Sequence, residues 1–437
     1  MREAIWARAR FVRKAPGKRV RAAKRKPDVF MTQAKETPPP AESRIGFPEF
    51  VMLIAGMMAM TALSLDMMLP ALPGIAGAFQ LSDPNAAQLV IIIYLFGFSA
   101  GHLYAGPLSD RLGRKPVLMG GLVVYAVGSL MAAAAPSFEV LLVGRVIQGL
   151  GAAAPRVVAI AVVRDRYAGR GMSRVMSFVM MVFIIVPVLA PTLGSGMMLL
   201  GPWRWIFAFL VTFGAALSLW AALRLEETCP PGPPVRLLTA VRTMATTRQS
   251  VGYTLALGFM FGSLMTYVST AEQVFTQVYG MGQEFTLLFG AIALAIVAAS
   301  FSNSRIVERL GMRRVSHAAL VGFLVLCGLM AAFGYPAHPP LFIYALFCFG
   351  TFFCFGHIAP NFNALAMDPL GRLAGVGSSL IGFWMMAAGG GFAGLVGQQF
   401  DGTIRPITLG FTVLTLCALA TVLITERGRL FQVGEGG

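Results

Sequence analysis

Apolar residues run along this chain in twelve long stretches, at about 48–70, 86–106, 115–135, 139–163, 173–199, 203–224, 251–272, 284–301, 315–335, 340–363, 373–396 and 405–425. Each is near the ~20 residues that a helix needs to cross a bilayer. Polar residues gather in the short segments between them. The pattern predicts an all-α integral membrane protein of twelve transmembrane helices. The longest internal polar stretch, about 225–250, holds Pro230, Pro231, Pro233 and Pro234 and divides the spans six and six. The predicted organisation is therefore a leader over 1–46, a first half over 47–224, a linker over 225–250, a second half over 251–425 and a tail over 426–437.

Composition strengthens this reading. The 437 residues are 57% hydrophobic and only 12% charged, where a soluble domain is about half apolar and a quarter charged. The net charge of +16 would invite a nucleic-acid partner, but its distribution argues against one. Thirteen of the 35 Lys and Arg fall in the first 46 residues, and most of the others sit in loops between apolar runs. With both termini inside, 31 of the 35 lie on the cytoplasmic side, the asymmetry expected of a multi-pass protein of the plasma membrane. The leader has no apolar core before Phe47, so it is no cleavable signal peptide. It is left as a basic tail on anionic lipid, a stretch ahead of a true start at Met31, or an Arg-rich transit peptide. Residues 1–30 are expected to be dispensable for insertion and transport. Cys229, Cys327, Cys348, Cys354 and Cys417 lack metal-ligand spacing, so neither a metal centre nor a disulfide framework is expected.

The stretch Gly106-Pro107-Leu108-Ser109-Asp110-Arg111-Leu112-Gly113-Arg114-Lys115-Pro116-Val117-Leu118 joins the second and third runs. It reads as a thirteen-residue hairpin at the cytoplasmic face, with Arg111, Arg114 and Lys115 marking the side and Asp110 ionised among them. Its order, Gly-x-Leu-x-Asp-Arg-x-Gly-Arg-Lys, resembles the signature loop of the major facilitator superfamily. Glu308-Arg309-Leu310-Gly311 repeats its core at the same place in the second half, with Met312 where the first copy has Arg114. Two halves in register are a pattern of this transporter class.

Further stretches narrow the resemblance. They are Thr61–Pro73 closing the first span, Leu142–Gly151 and Val163–Tyr167 at the ends of the fourth, and Ala190-Pro191-Thr192-Leu193-Gly194 in the fifth. Trp203–Phe207, Ala364–Pro369 and Arg372–Gly375 complete the set. Together they look like the Bcr/CflA branch, the bicyclomycin-resistance type of drug/proton antiporter, over roughly 47–425. The resemblance implies the major facilitator fold and efflux of small, mostly apolar compounds by alternating access. It implies a proton gradient as driving force with no cofactor, and as partners the substrate, protons and the lipid bilayer, the chain acting as a monomer.

Within that frame the polar residues of the spans are the candidates. Asp66 is a carboxylate inside a membrane run, where insertion costs ~2.5–3.5 kcal/mol and marks function. Arg145 lies at a similar depth from the same face, so the two are expected to form the proton-coupling pair, with Glu272, at the corresponding end of the seventh span, as a second acid. Arg156, eleven residues from Arg145 on one helical stripe, is assigned to a wet cavity together with Gln148, His357 and Asn361. Pro191 and Gly194 match the core of the antiporter pattern on the fifth helix and equally suit a kinked packing helix. Gly106, Asp110, Arg111, Gly113, Arg114 and Lys115, with Glu308, Arg309 and Gly311 in the echo, are read as a gating loop, Asp110 facing the positive N-terminal end of the eleventh helix. A proton-coupled importer or facilitator on the same fold stays open. A membrane enzyme is the more remote alternative, since no nucleophile–base pair or metal cluster is visible within the spans.

Overall fold

The structure is a computed structural model that describes residues 45–167, 169–229, 237–282, 284–332 and 338–432. The described residues belong to one compact unit. The basic leader lies outside the described residues.

Fourteen α-helices follow in chain order among the described residues: α1 (Phe47–Asp66), α2 (Leu72–Ala78), α3 (Leu89–Leu112), α4 (Arg114–Ala133), α5 (Phe138–Arg166), α6 (Gly169–Leu200) and α7 (Arg204–Arg224), then α8 (Leu237–Thr246), α9 (Arg248–Gln273), α10 (Phe285–Leu310), α11 (Met312–Ala332), α12 (Leu341–Met367), α13 (Ala374–Gly397) and α14 (Arg405–Thr425). Twelve are long, and α2 and α8 are short. Eleven spans are long and apolar enough to cross a membrane; the described apolar part of α6, Ile185–Leu200, is shorter. The twelve-span all-α prediction and this helix set agree, with ends shifted by several residues. The linker is not featureless, since α8 lies within it and α9 begins at Arg248.

Small residues let the first half pack tightly. A Cβ added at Gly149 of α5 would fall 2.2 Å from the Tyr94 carbonyl oxygen of α3, and one at Gly128 of α4 would fall 2.2 Å from the Gln148 nitrogen. In a bilayer such close backbone approach supplies the van der Waals contact that drives helix association. The two halves meet along α3–α13 and along α6–α10.

The predicted hairpin at 106–118 is almost absent. Residues 106–112 are the last two turns of α3, and α4 resumes at Arg114. Only Gly113 connects them, at φ 102°; Gly311 does the same between α10 and α11 at φ 81°. Positive φ is the region where glycine carries no Cβ penalty, so a single residue reverses the chain. Pro107, which suggested a loop, sits inside α3.

Candidate functional site

Between the halves lies a cavity of about 300 Å³ with strongly apolar walls: Phe261, Met265, Phe289, Phe352, Phe355 and Met385 are among its lining. Among the described residues, Asp66, Arg156, Thr61 and Tyr267 are the polar side chains on it. The sequence places Asp66 there by breaking a helix. α1 stops at Asp66, a single 3₁₀ turn over Leu69–Ala71 follows, and α2 starts at Leu72. Pro70 and Pro73 lack N–H donors, so a regular ladder cannot continue past this point. Gly194 of α6 packs on the break, where a Cβ would lie 2.3 Å from the Met67 carbonyl oxygen. Pro191 is buried one turn earlier and Pro187 lines the cavity. Asp66 is 6% exposed, and no hydrogen bond or ion pair joins it to any described residue.

Arg145 is fully buried, but it does not reach Asp66 in this conformer. Its Nε donates to the Val90 carbonyl (2.8 Å), Nη2 to the Ser64 carbonyl (3.0 Å) and Nη1 to Gln148 Oε1 (2.6 Å). Its guanidinium lies 4.4 Å from the centre of the Tyr94 ring. Gln148 in turn donates to Ser129 Oγ at 2.8 Å. The expected Asp66–Arg145 pair is therefore absent here, because neutral acceptors on α1, α3 and α5 already occupy the arginine. Gln148 is not a cavity residue but part of that clamp.

His357 and Asn361 also turn away from the cavity. His357 Nε2 lies 2.9 Å from Ser302 Oγ, and Asn361 Nδ2 donates to Asn303 Oδ1 at 2.8 Å, which makes them a polar seam between α10 and α12. Four residues apart, they share one face of α12, but the sequence does not show which neighbouring helix that face meets. Glu272 is 3% exposed and accepts from Thr276 Oγ1 at 3.0 Å. It lines a separate pocket of about 220 Å³ with Gln88, Gln273 and Gln277, apart from Asp66.

The end of the bundle away from Gly113 is closed by amides crossing between the halves. Asn85 Nδ2 donates to the Phe400 carbonyl (2.9 Å), Gln398 Nε2 to the Asn85 carbonyl (2.8 Å) and Gln273 Nε2 to Asn85 Oδ1 (3.1 Å). Gln88 Nε2 donates both to Gln273 Oε1 and to the Gly397 carbonyl, the latter at 3.1 Å. None of these residues was a candidate from sequence; clustered uncharged amides at span ends were the only available signal.

The end that carries Gly113 is hollow. A cavity of about 470 Å³ there is lined by His102, Gly106, Asp110, Arg114, Arg164 and Asn363, among others, and shares Arg156, Ala359, Met385 and Met386 with the central one. Arg114 ties this end together: Nε meets Asp165 at 2.9 Å, Nη1 donates to Ser109 Oγ at 2.8 Å, and Nη1 also pairs with Asp110. The expected partner of Asp110, the N-terminal end of α13, only shares its cavity through Val376, Ser378 and Ser379. Lys115 Nζ donates to the Ala222 carbonyl (2.7 Å), and Arg111 is exposed. Glu227 caps α4 by accepting from the Arg114 N–H (2.8 Å) and the Lys115 N–H (3.0 Å). Burial pushes the Glu227 carboxyl up, but the N–H groups of Cys229, Arg114, Lys115 and Thr228 outweigh it and hold the group below its usual range. The echo is different. Glu308 and Arg309 are exposed, because Met312 offers no guanidinium where Arg114 stands in the first half. Arg313 pairs instead with Glu426 at 2.9 Å.

The sequence profile described as Major Facilitator Superfamily matches residues 53–395. The chain is 32% identical over 386 residues to an uncharacterized MFS-type transporter, YdgK, of Bacillus subtilis, covering 85% of this chain and 94% of that protein. It is 27% identical over 395 residues to a bicyclomycin resistance protein homolog of Haemophilus influenzae, covering 86% and 96%. Among solved structures, that of the peptide transporter POT in complex with sulfate superposes with a TM-score of 0.71 at 14% identity, covering 88% of this chain and 96% of that one.

Proposed function

The chain belongs to the major facilitator superfamily, and from that premise we propose that this multi-pass membrane transporter exports small drug-like compounds in exchange for protons. The hollow, arginine-rich end is taken as the cytoplasmic face of a bacterial inner membrane, on the charge asymmetry of the loops, with both termini there and the chain working as a monomer. The amide-closed end is then the outer one, so this conformer opens inward. The relatedness to a bicyclomycin resistance protein homolog supports export of compounds of that size.

One observation carries the proton step: Asp66 sits in the wall of the central cavity, 6% exposed, with no side-chain hydrogen bond or ion pair among the described residues. A carboxylate in such surroundings is costly when ionised and unpaired. It is relieved by a proton or by a substrate group at the same place, so the two compete for one position. Alternating access then carries each across in turn as the halves rock about the cavity. Arg145 holds the helix break that presents Asp66, through the Ser64 carbonyl, and Glu272 stands by as a second acid at the outer closure.

Everted membrane vesicles test this. Adding an exported compound should dissipate a preformed proton gradient, and Asp66→Asn should remove that response while substrate binding stays measurable. Uphill export by Asp66→Asn would move the coupling acid elsewhere, Glu272 first. An importer on the same fold would instead require substrate and proton to move in one direction.

A further inference from the structure

Asp66 and Glu272 are the buried carboxylates among the described residues, and Glu272 is the less exposed, at 3%. Its one side-chain partner among them is the Thr276 hydroxyl at 3.0 Å, which brings no charge to meet its own. A carboxylate buried without a counter-charge is costly. Glu272 lines the pocket of about 220 Å³ that straddles the halves, with Leu72, Ala76 and Gln88 on one side and Gln273 and Gln277 on the other. Each further polar side chain described on that wall is a glutamine. Gln88 is fully buried, and its Oε1 has no partner among the described residues. The Gly397 carbonyl, 3.1 Å from Nε2, fixes which amide atom is the donor, so turning the amide over would not remove the orphan. Gln273 Oε1 accepts from Gln88 and keeps a second lone pair.

The pocket thus combines one negative charge, spare amide oxygens and no fixed positive charge among the described residues. Hard oxygen donors suit alkali and alkaline-earth cations, and a single carboxylate balances a single positive charge. At ~30 Å³ per water, the volume accommodates an ion with several of its waters. α9 also passes into a π-helical turn over Val274–Val278, an irregularity frequent at functional sites, and Thr276 and Gln277 belong to it. We propose that this pocket is a monovalent cation site, taking sodium, that braces the outer closure. Its walls come from both halves, and Gln88 and Gln273 bond to each other across them. Opening the outer end parts Gln88 and α2 from Glu272 and dismantles the site, so the ion favours the closed conformer. A ligand shifts such a balance by its differential affinity. At ten times its dissociation constant the shift is about tenfold.

Binding is read without substrate and without a proton gradient, so a failure of proton exchange leaves this result untouched. The side from which the ion arrives rests on the orientation of the proposed transporter. The probe is radioactive sodium on purified full-length protein in nanodiscs, in mildly alkaline choline buffer where protons compete least. The protein should bind one sodium ion per chain, saturably, and Asp66→Asn should bind it equally well. Glu272→Gln should lose it. Gln277→Ala removes an exposed wall residue outside the closure bonds, so it should keep the fold and weaken sodium several-fold. The second readout is labelling from the outer side of a single cysteine at Ala62, in the central cavity, with the five native cysteines replaced. Exchanging choline for saturating sodium at equal ionic strength should slow labelling about tenfold, and should change nothing in Glu272→Gln. Absence of saturable binding, full binding by Glu272→Gln, or unaltered affinity in Gln277→Ala would overturn the proposal. So would loss of binding in Asp66→Asn, which would put the ion in the central cavity instead.

Discussion

Gln88 is the residue through which the outer closure is most open to attack. It is fully buried, and its Nε2 bridges the Gln273 side chain and the Gly397 carbonyl of the other half. Gln88→Ala removes two neutral hydrogen bonds, each worth ~0.5–1.5 kcal/mol net. The closed conformer should thus lose ~1–3 kcal/mol relative to the open one, a shift of roughly 5- to 150-fold in their ratio. Gly397→Ala attacks the same contact from the opposite side, because its Cβ would lie 2.1 Å from Gln88 Oε1. The assay is labelling of a single cysteine at Ala62, in the central cavity, by an impermeant thiol reagent applied from the outer side, with the five native cysteines replaced. Either variant should raise the labelling rate, and the double variant should do little more than one alone, since both break one contact. Unchanged labelling, or fully additive effects of the two substitutions, would show that this amide set does not hold the outer end.

Two predictions concern stability. Arg145→Ala should lower the midpoint of thermal unfolding in detergent, followed by tryptophan fluorescence, by the equivalent of at least ~2 kcal/mol, because three buried acceptors lose a charged donor together; an unshifted midpoint would contradict the clamp. Glu227→Gln should cost ~1 kcal/mol at neutral pH, the usual worth of a helix cap. Because the folded carboxyl lies below its ordinary 4.5, that contribution is present above pH 4.5 and fades as pH falls through the lowered value. The difference between wild type and Glu227→Gln should therefore shrink below about pH 4.5 and hold steady from there to neutrality.

Hydropathy made the spans legible because a bilayer demands ~20 apolar residues in line, and twelve such runs leave little freedom of fold. Asp66 was legible for a related reason: a carboxylate within such a run is expensive and conspicuous. Its surroundings were not. Arg145 was expected to seek the acid, yet it bonds to the Val90 and Ser64 carbonyls, and backbone acceptors leave no mark in a sequence. The signature stretch looked like a loop because Gly, Pro and charges usually mark one; α3 instead carries Pro107 within its last turns and leaves the whole reversal to Gly113. The outer closure was invisible because Asn85, Gln88, Gln273 and Gln398 are uncharged and scattered over more than 300 positions.

The bonds of this molecule divide by chemistry. The ion pairs described here do not join the two halves: Arg114 with Asp110 and Asp165 and Arg224 with Glu49 lie in the first, Arg166 of the first pairs with Glu226 at the start of the linker, and Arg313 of the second pairs with Glu426 at the start of the tail. The bonds described between the halves are neutral: the outer amides, and Ser99 Oγ donating to the Phe383 carbonyl at 2.8 Å. A pair with a buried partner, as Arg114 is with Asp110 and Asp165, is costly to break, because the buried group is left as an uncompensated charge. A neutral bond is exchanged for water at ~0.5–1.5 kcal/mol. Keeping the charges inside the halves makes each a stiff unit, and joining the units by a few neutral bonds keeps the gap between open and closed small. That gap has to be small for an exchanger, because one bound proton or one substrate must suffice to reverse the balance.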